Sequence, residues 1–166
     1  MKKHGKWRRR CAGCLPALVS VLVVLCAPCE ATVLQIWPDQ LKPTGYSTSY
    51  YQLPSELRIT DTTKEVDFFA PVSIPVGRTI TKMHYYRSAF AANPTTVVLY
   101  RVKMGQKPSL VALGYSVAVT NRDIVLVSCA LGNAVVVEKD YRYFVRVFID
   151  NQDSDTAVQG IKIVYQ

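Results

Sequence analysis

Tyr141-Arg142-Tyr143-Phe144-Val145-Arg146-Val147-Phe148-Ile149 is the stretch that decides the fold. Its odd-numbered residues are all apolar or aromatic. Its even-numbered residues alternate arginine with phenylalanine. Side chains of a β-strand point alternately to opposite faces, so a period of two with one wholly apolar face marks a strand that is buried on one side. Ser109–Val119 repeats the pattern, with Val111, Leu113, Tyr115, Val117 and Val119 expected inward. So does the run at Gly160–Tyr165, where Ile161, Ile163 and Tyr165 alternate with Gly160, Lys162 and Val164.

Working outward, Thr79–Arg87, Thr95–Lys103, Ile124–Cys129, Asn133–Val137 and Val158–Tyr165 are rich in the β-branched and aromatic residues that favour strands. Ser55–Ile59 and Glu65–Ile74 add two more, the latter at an edge or bulged because Pro71 and Pro75 cannot donate to a sheet ladder. Ile124–Cys129 is apolar on both faces and is expected centrally. Short polar turns such as Thr120-Asn121-Arg122 and Glu138-Lys139-Asp140 separate these runs, which implies antiparallel pairing. No segment carries a 3.6-residue apolar period. The expectation is an all-β, antiparallel, jelly-roll-like β-sandwich of seven to nine strands over residues 55–166, preceded by a 32–54 arm or edge strand.

The run Phe69-Ala70-Pro71-Val72-Ser73-Ile74-Pro75-Val76-Gly77-Arg78-Thr79-Ile80 resembles the entry strand of small uncharacterised exported bacterial β-sandwich proteins. Tyr141–Val147 and Gly160–Ile163 carry the same likeness at the end of the chain. The resemblance implies a fold and no activity.

The first ten residues hold Lys2, Lys3, Lys6, Arg8, Arg9 and Arg10, and the apolar run Leu15–Ala27 follows. Cys29-Glu30-Ala31 closes it with a small residue at each end. These are the three parts of a secretory signal peptide, expected at 1–31 and cut after Ala31. The apolar run is too short to span a bilayer, which takes about 20 residues. Of the net charge of +8, the leader carries five, so the remaining 135 residues sit at +3 with interspersed signs. That balance gives no ground for a nucleic-acid partner. Cys11, Cys14, Cys26 and Cys29 have the spacing of two zinc half-sites, yet the intervening apolar run would hold Cys11 and Cys26 about 22 Å apart as a helix. Beyond the leader only Cys129 remains, and its apolar strand reads as an inert buried thiol.

Catalytic groups are scarce. His84 is the one histidine beyond the leader, so a Ser-His-Asp triad would have to use it, and no Gly-x-Ser-x-Gly is present. Asn151, Asp153 and Asp155 begin an EF-hand spacing that fails at Thr156 and Lys162. A sandwich-type calcium site of Asp150, Asp153 and Asp155 is the alternative metal reading. No cofactor is expected. Tyr50, Tyr51 and Tyr86 are candidate ligand-contacting aromatics, because tyrosine offers a flat apolar ring with a polar tip.

Arg142, Phe144, Arg146 and Phe148 are the other candidates. The core face of their strand is complete without them, and arginine beside aromatics matches the composition of interfaces. Phe144 and Phe148 are expected to be covered by the Thr32–Pro54 arm, by a second copy of the chain or by a ligand. The expected function is an exported, non-catalytic binding or assembly module whose partner is a glycan or a protein, itself included, with no membrane span after cleavage. A structural subunit of a homo-oligomeric surface assembly and a small hydrolase stand as alternatives.

Overall fold

The computed structural model describes residues 30–44, 50–59, 65–89, 94–116, 125–150 and 156–166. The basic head, the apolar run, the four leader cysteines, Asp153 and Asp155 lie outside the described residues, as do the side chains of Tyr51 and Asp150. Twelve strands are described: β1 (Thr32–Ile36), β2 (Lys42–Pro43), β3 (Tyr50–Gln52), β4 (Leu57–Ile59), β5 (Glu65–Val72), β6 (Thr79–Ala89), β7 (Thr95–Lys103), β8 (Leu110–Tyr115), β9 (Val125–Leu131), β10 (Val135–Val136), β11 (Tyr141–Asp150) and β12 (Thr156–Tyr165). Nine of them, β4 to β12, lie within residues 55–166, inside the expected seven to nine. The single helical turn described is 3-10, at Pro38–Gln40.

Every pairing is antiparallel. One layer runs β2-β5-β11-β7-β8 and the other β9-β6-β12-β4-β3, with β1 on β12 and β10 on β6. A two-residue seam, Gly114 opposite Leu131 and Tyr115 opposite Ala130, joins β8 to β9 and makes the whole a curled sheet folded on itself. The alternation of β11 is realised in full. Tyr143, Val145, Val147 and Ile149 are buried against Phe68, Leu99, Met83, Tyr85, Ile161 and Ile163, while Arg142, Phe144, Arg146 and Phe148 face outward. Each large apolar side chain fully buried in this core contributes about 1.5–3 kcal/mol relative to exposure.

The Thr32–Pro54 segment is more than an edge. It sends β1 and β3 to one layer and β2 to the other, and it buries Ile36 and Leu41 completely or nearly so. Gln52 fastens its bend, donating from Nε2 to the carbonyls of Pro38 (2.8 Å) and Leu41 (3.0 Å). Pro71 sits where the edge expectation put it, beyond the short β2 pairing on β5.

Two expectations are corrected. Tyr115 does not face inward but is 59% exposed, and Val111 is 43% exposed. At Tyr115 the cause is a bulge: Leu99 opposes Gly114 while the next residue, Tyr100, opposes Ala112, so Leu113 is the extra residue. One inserted residue reverses the phase of everything after it. Gly114 therefore takes the inward position, and Tyr115 stands outward beside Val98. β9 does lie mid-order between β8 and β6, but only one of its faces is buried. Val127 and Cys129 point to the core while Leu126 is 51% exposed.

Candidate functional site

The outer face of the β2-β5-β11-β7-β8 layer gathers aromatic and charged residues into rows set by strand register. Phe144 lies between Pro71 on β5 and Tyr100 on β7, and Ala112 continues the row on β8. The next row carries Lys42, Phe69, Arg146, Val98 and Tyr115 across five strands. Phe148 follows, between Asp67 and Thr96.

Within this face three rings form one cluster. Tyr100 stacks on Phe144 with centroids 5.5 Å apart and planes 19° from parallel, and Phe69 meets Phe144 at 5.4 Å, tilted by 51°. Such offset and tilted contacts are favoured by the ring quadrupoles, at about 0.5–1.5 kcal/mol per pair beyond simple burial. Arg146 is held flat across the neighbouring row by a two-pronged ion pair to Asp67, Nε to Oδ1 and Nη2 to Oδ2, both 2.7 Å. Its guanidinium also lies 5.7 Å from the Phe148 centroid. The hydrogen bonds that Arg146 donates to Asp67, outweighing desolvation and helped by Tyr100, push the Arg146 pKa above its ordinary value. With both partners about a third exposed, the pair is worth about 1 kcal/mol or less in stability, and its main effect is to fix two polar groups beside the rings. Beside the ring cluster lies an open, apolar-floored depression of ≈ 600 Å³, bounded by Lys42, Phe69, Val102, Leu110, Arg142 and Phe144.

Four of the sequence candidates, Arg142, Phe144, Arg146 and Phe148, thus stand together on one face. Phe69, Tyr100, Tyr115 and Asp67 belong there too and were missed. Phe68-Phe69 on an alternating strand carries a signal for the first, since one of two adjacent residues must face out. The described part of the Thr32–Pro54 arm does not lie over this face. It joins the edge of the layer through Lys42 and Pro43.

The remaining candidates lie elsewhere. Tyr50 packs edge-on against the buried Phe68, centroids 5.3 Å apart at 80°, and so belongs to the rim of the core. Tyr86 is on the outer face of the opposite layer, where the Lys162 ammonium lies 4.9 Å from its ring centroid and donates to its hydroxyl at 3.2 Å. On that same face His84 Nδ1 is 3.1 Å from Ser128 Oγ across the β6–β9 pair. A charge relay would need a carboxylate on the far imidazole nitrogen. Among the described residues no acid hydrogen-bonds His84, and none form a metal-binding group.

Two buried polar features are structural. Arg87 is fully buried and donates from Nε to Thr95 Oγ1 at 3.1 Å, while the Tyr85 hydroxyl donates to the Thr95 carbonyl at 3.0 Å. Burial draws the Arg87 pKa below its ordinary value. Nothing in the sequence signals this burial, since Arg87 is there only the last residue of the Thr79–Arg87 strand. Cys129 is buried, and desolvation pushes its thiol up to about 12. At pH 8 almost none is thiolate, so the native protein is expected to resist a thiol-specific reagent that labels it fully in denaturant. Cys129→Ala should cost about 1 kcal/mol by chemical denaturation, the price of a small cavity. Rapid native labelling would show an open thiol.

No protein-family model matches the chain, and a search of the curated proteins returns no match. Solved structures do share its fold. The N-terminal CBM22-1–GH10 modules of Clostridium thermocellum endo-1,4-β-D-xylanase 10B, complexed with xylohexaose, match with a TM-score of 0.56 at 9% identity, over 79% of this chain and 27% of that one. The xylan-binding domain from CBM 22 gives 0.46 at 13% identity over 79% and 85%, and TmCBM61 in complex with β-1,4-galactotriose gives 0.44 at 11% over 81% and 88%. This chain spans about a quarter of the length of the first. At such identities the likeness is one of fold: an antiparallel β-sandwich.

Proposed function

We propose that the chain is an exported, non-catalytic module that binds a glycan on the outer face of the β5-β11-β7-β8 layer. The observation that carries this reading is the Phe69–Phe144–Tyr100 ring cluster, with Arg146 and Asp67 fixed beside it. A pyranose presents an apolar C–H face, which an aromatic ring covers, and equatorial hydroxyls, which demand placed donors and acceptors. The ring cluster supplies the first and the locked ion pair the second, with little conformational entropy left to lose on binding. The fold is also that of modules whose solved structures hold xylohexaose and β-1,4-galactotriose, which guides the choice of probes.

Calorimetry with neutral β-1,4-linked xylo- and galacto-oligosaccharides tests the proposal. Phe144→Ala is expected to weaken binding by about tenfold, the loss of one well-packed ring contact of about 1.4 kcal/mol, with the far-ultraviolet dichroism unchanged. Ligand affinity equal to wild type in that variant would sink the reading. A panel without any binding, together with a doubled mass in solution that Phe144→Ala restores to monomer, would favour the assembly alternative instead.

Export is part of the same proposal. The expected cut after Ala31 would leave Thr32, the first residue of β1, at the new N-terminus, so removal costs the sandwich no strand residue. N-terminal sequencing of the extracellular protein is expected to begin near Thr32. Extracellular protein that still begins at Met1 would overturn it.

A further inference from the structure

Resting on the glycan reading above, we infer that the sugar bound on this face carries a carboxylate, received by Arg142, with Lys42 bordering the same depression. Among the described residues two cations and no acid border the apolar floor of Phe69, Phe144, Val102 and Leu110. Asp67, an acid on the same face, is paired with Arg146. Among the described residues Arg58, Arg78, Arg87, Arg101 and Arg146 each have a partner, and the Arg142 guanidinium has none. Lys42 donates to the Asp39 carbonyl at 3.0 Å, a neutral acceptor that leaves its charge uncompensated.

The spacing suits a uronic acid. Arg142 is two residues from Phe144 on the same face of β11, about 6.7 Å along the strand, so a ring stacked on Phe144 sets its carboxylate within reach of the guanidinium. Arginine's planar fork matches a carboxylate with two parallel hydrogen bonds. A neutral sugar there would leave both cations to water and draw nothing from them.

The test compares a hexameric galacturonate with its fully methyl-esterified form, in which each charged carboxylate is replaced by a neutral methyl ester, and includes neutral xylohexaose. At low salt the purified protein is expected to bind the acid form about tenfold more tightly than the ester, a preference that shrinks as salt screens the cations. Arg142→Gln should bring the ratio to within about twofold, chiefly by weakening the acid form. Phe144→Ala should weaken both forms alike. Lys82→Gln, on the outer face of the opposite layer, should leave the ratio unchanged. Equal binding of acid and ester, or binding of xylohexaose alone, overturns the inference and leaves the glycan reading standing. Equal loss of preference in Lys82→Gln and Arg142→Gln also overturns it, since general charge would then suffice. If none of the three sugars binds, the glycan reading itself fails and the inference falls with it.

Discussion

Gly114→Val is expected to destabilise the fold by about 3 kcal/mol, at the upper end of what overpacking costs. A Cβ built on Gly114 would run into Leu131 Cδ2 and lie 2.7 Å from the Ala130 carbonyl oxygen and 3.1 Å from Leu131 Cα. The leucine methyl could swing aside, but the carbonyl and Cα belong to the backbone of β9, which is held by its pairing to β6. The contact falls in the two-residue seam that joins the layers, so relief means separating β8 from β9. Natural domains hold only about 5–15 kcal/mol in total, which makes this a large fraction. Denaturant unfolding of Gly114→Ala and Gly114→Val should show a graded loss at constant slope. A valine variant within about 0.5 kcal/mol of wild type would mean that the seam gives way freely.

Phe68→Ala should be at least as damaging, at about 3–5 kcal/mol for removing a whole ring from a closed core. Phe68 is fully buried, and Tyr50 of β3 seals it edge-on from the opposite layer. The same measurement settles the role of Tyr50. As a core-rim residue, Tyr50→Ala should itself cost stability, and the double mutant should show about 1 kcal/mol of coupling. If Tyr50→Ala leaves stability untouched yet weakens glycan binding, the tyrosine is a ligand contact and the rim assignment is wrong.

The features legible in the sequence are those written within one strand. The faces of Tyr141–Ile149 follow from its period of two, and the bounds of Thr95–Lys103 match β7 residue for residue. What was not legible depends on which strands become neighbours. Arg146 and Asp67 are 79 residues apart in the chain, and nothing local to either announces a partner. Phe69 and Tyr100 join Phe144 only once β5 and β7 flank β11. The bulge at Leu113 was hidden for a different reason. The letters of β8 go on alternating through it, while the backbone gains a residue and turns Tyr115 to the outside. Ile36 and Leu41 were obscured by a proline-punctuated stretch whose bend is closed by Gln52, a long-range side-chain contact rather than a turn motif.

The strand at the centre of each layer comes last in the chain. β11 separates β5 from β7, and β12 separates β6 from β4 and β1. Before these two are made, β7, β8, β9 and β6 can pair in one run, but β5 has no link to β7 and β4 and β1 have none to β6. Assembly must wait for contacts that span most of the chain, and such non-local topologies fold slowly, on millisecond to second timescales. The two layers therefore close into a sandwich only once Tyr141–Asp150 and Thr156–Tyr165 are free to pair.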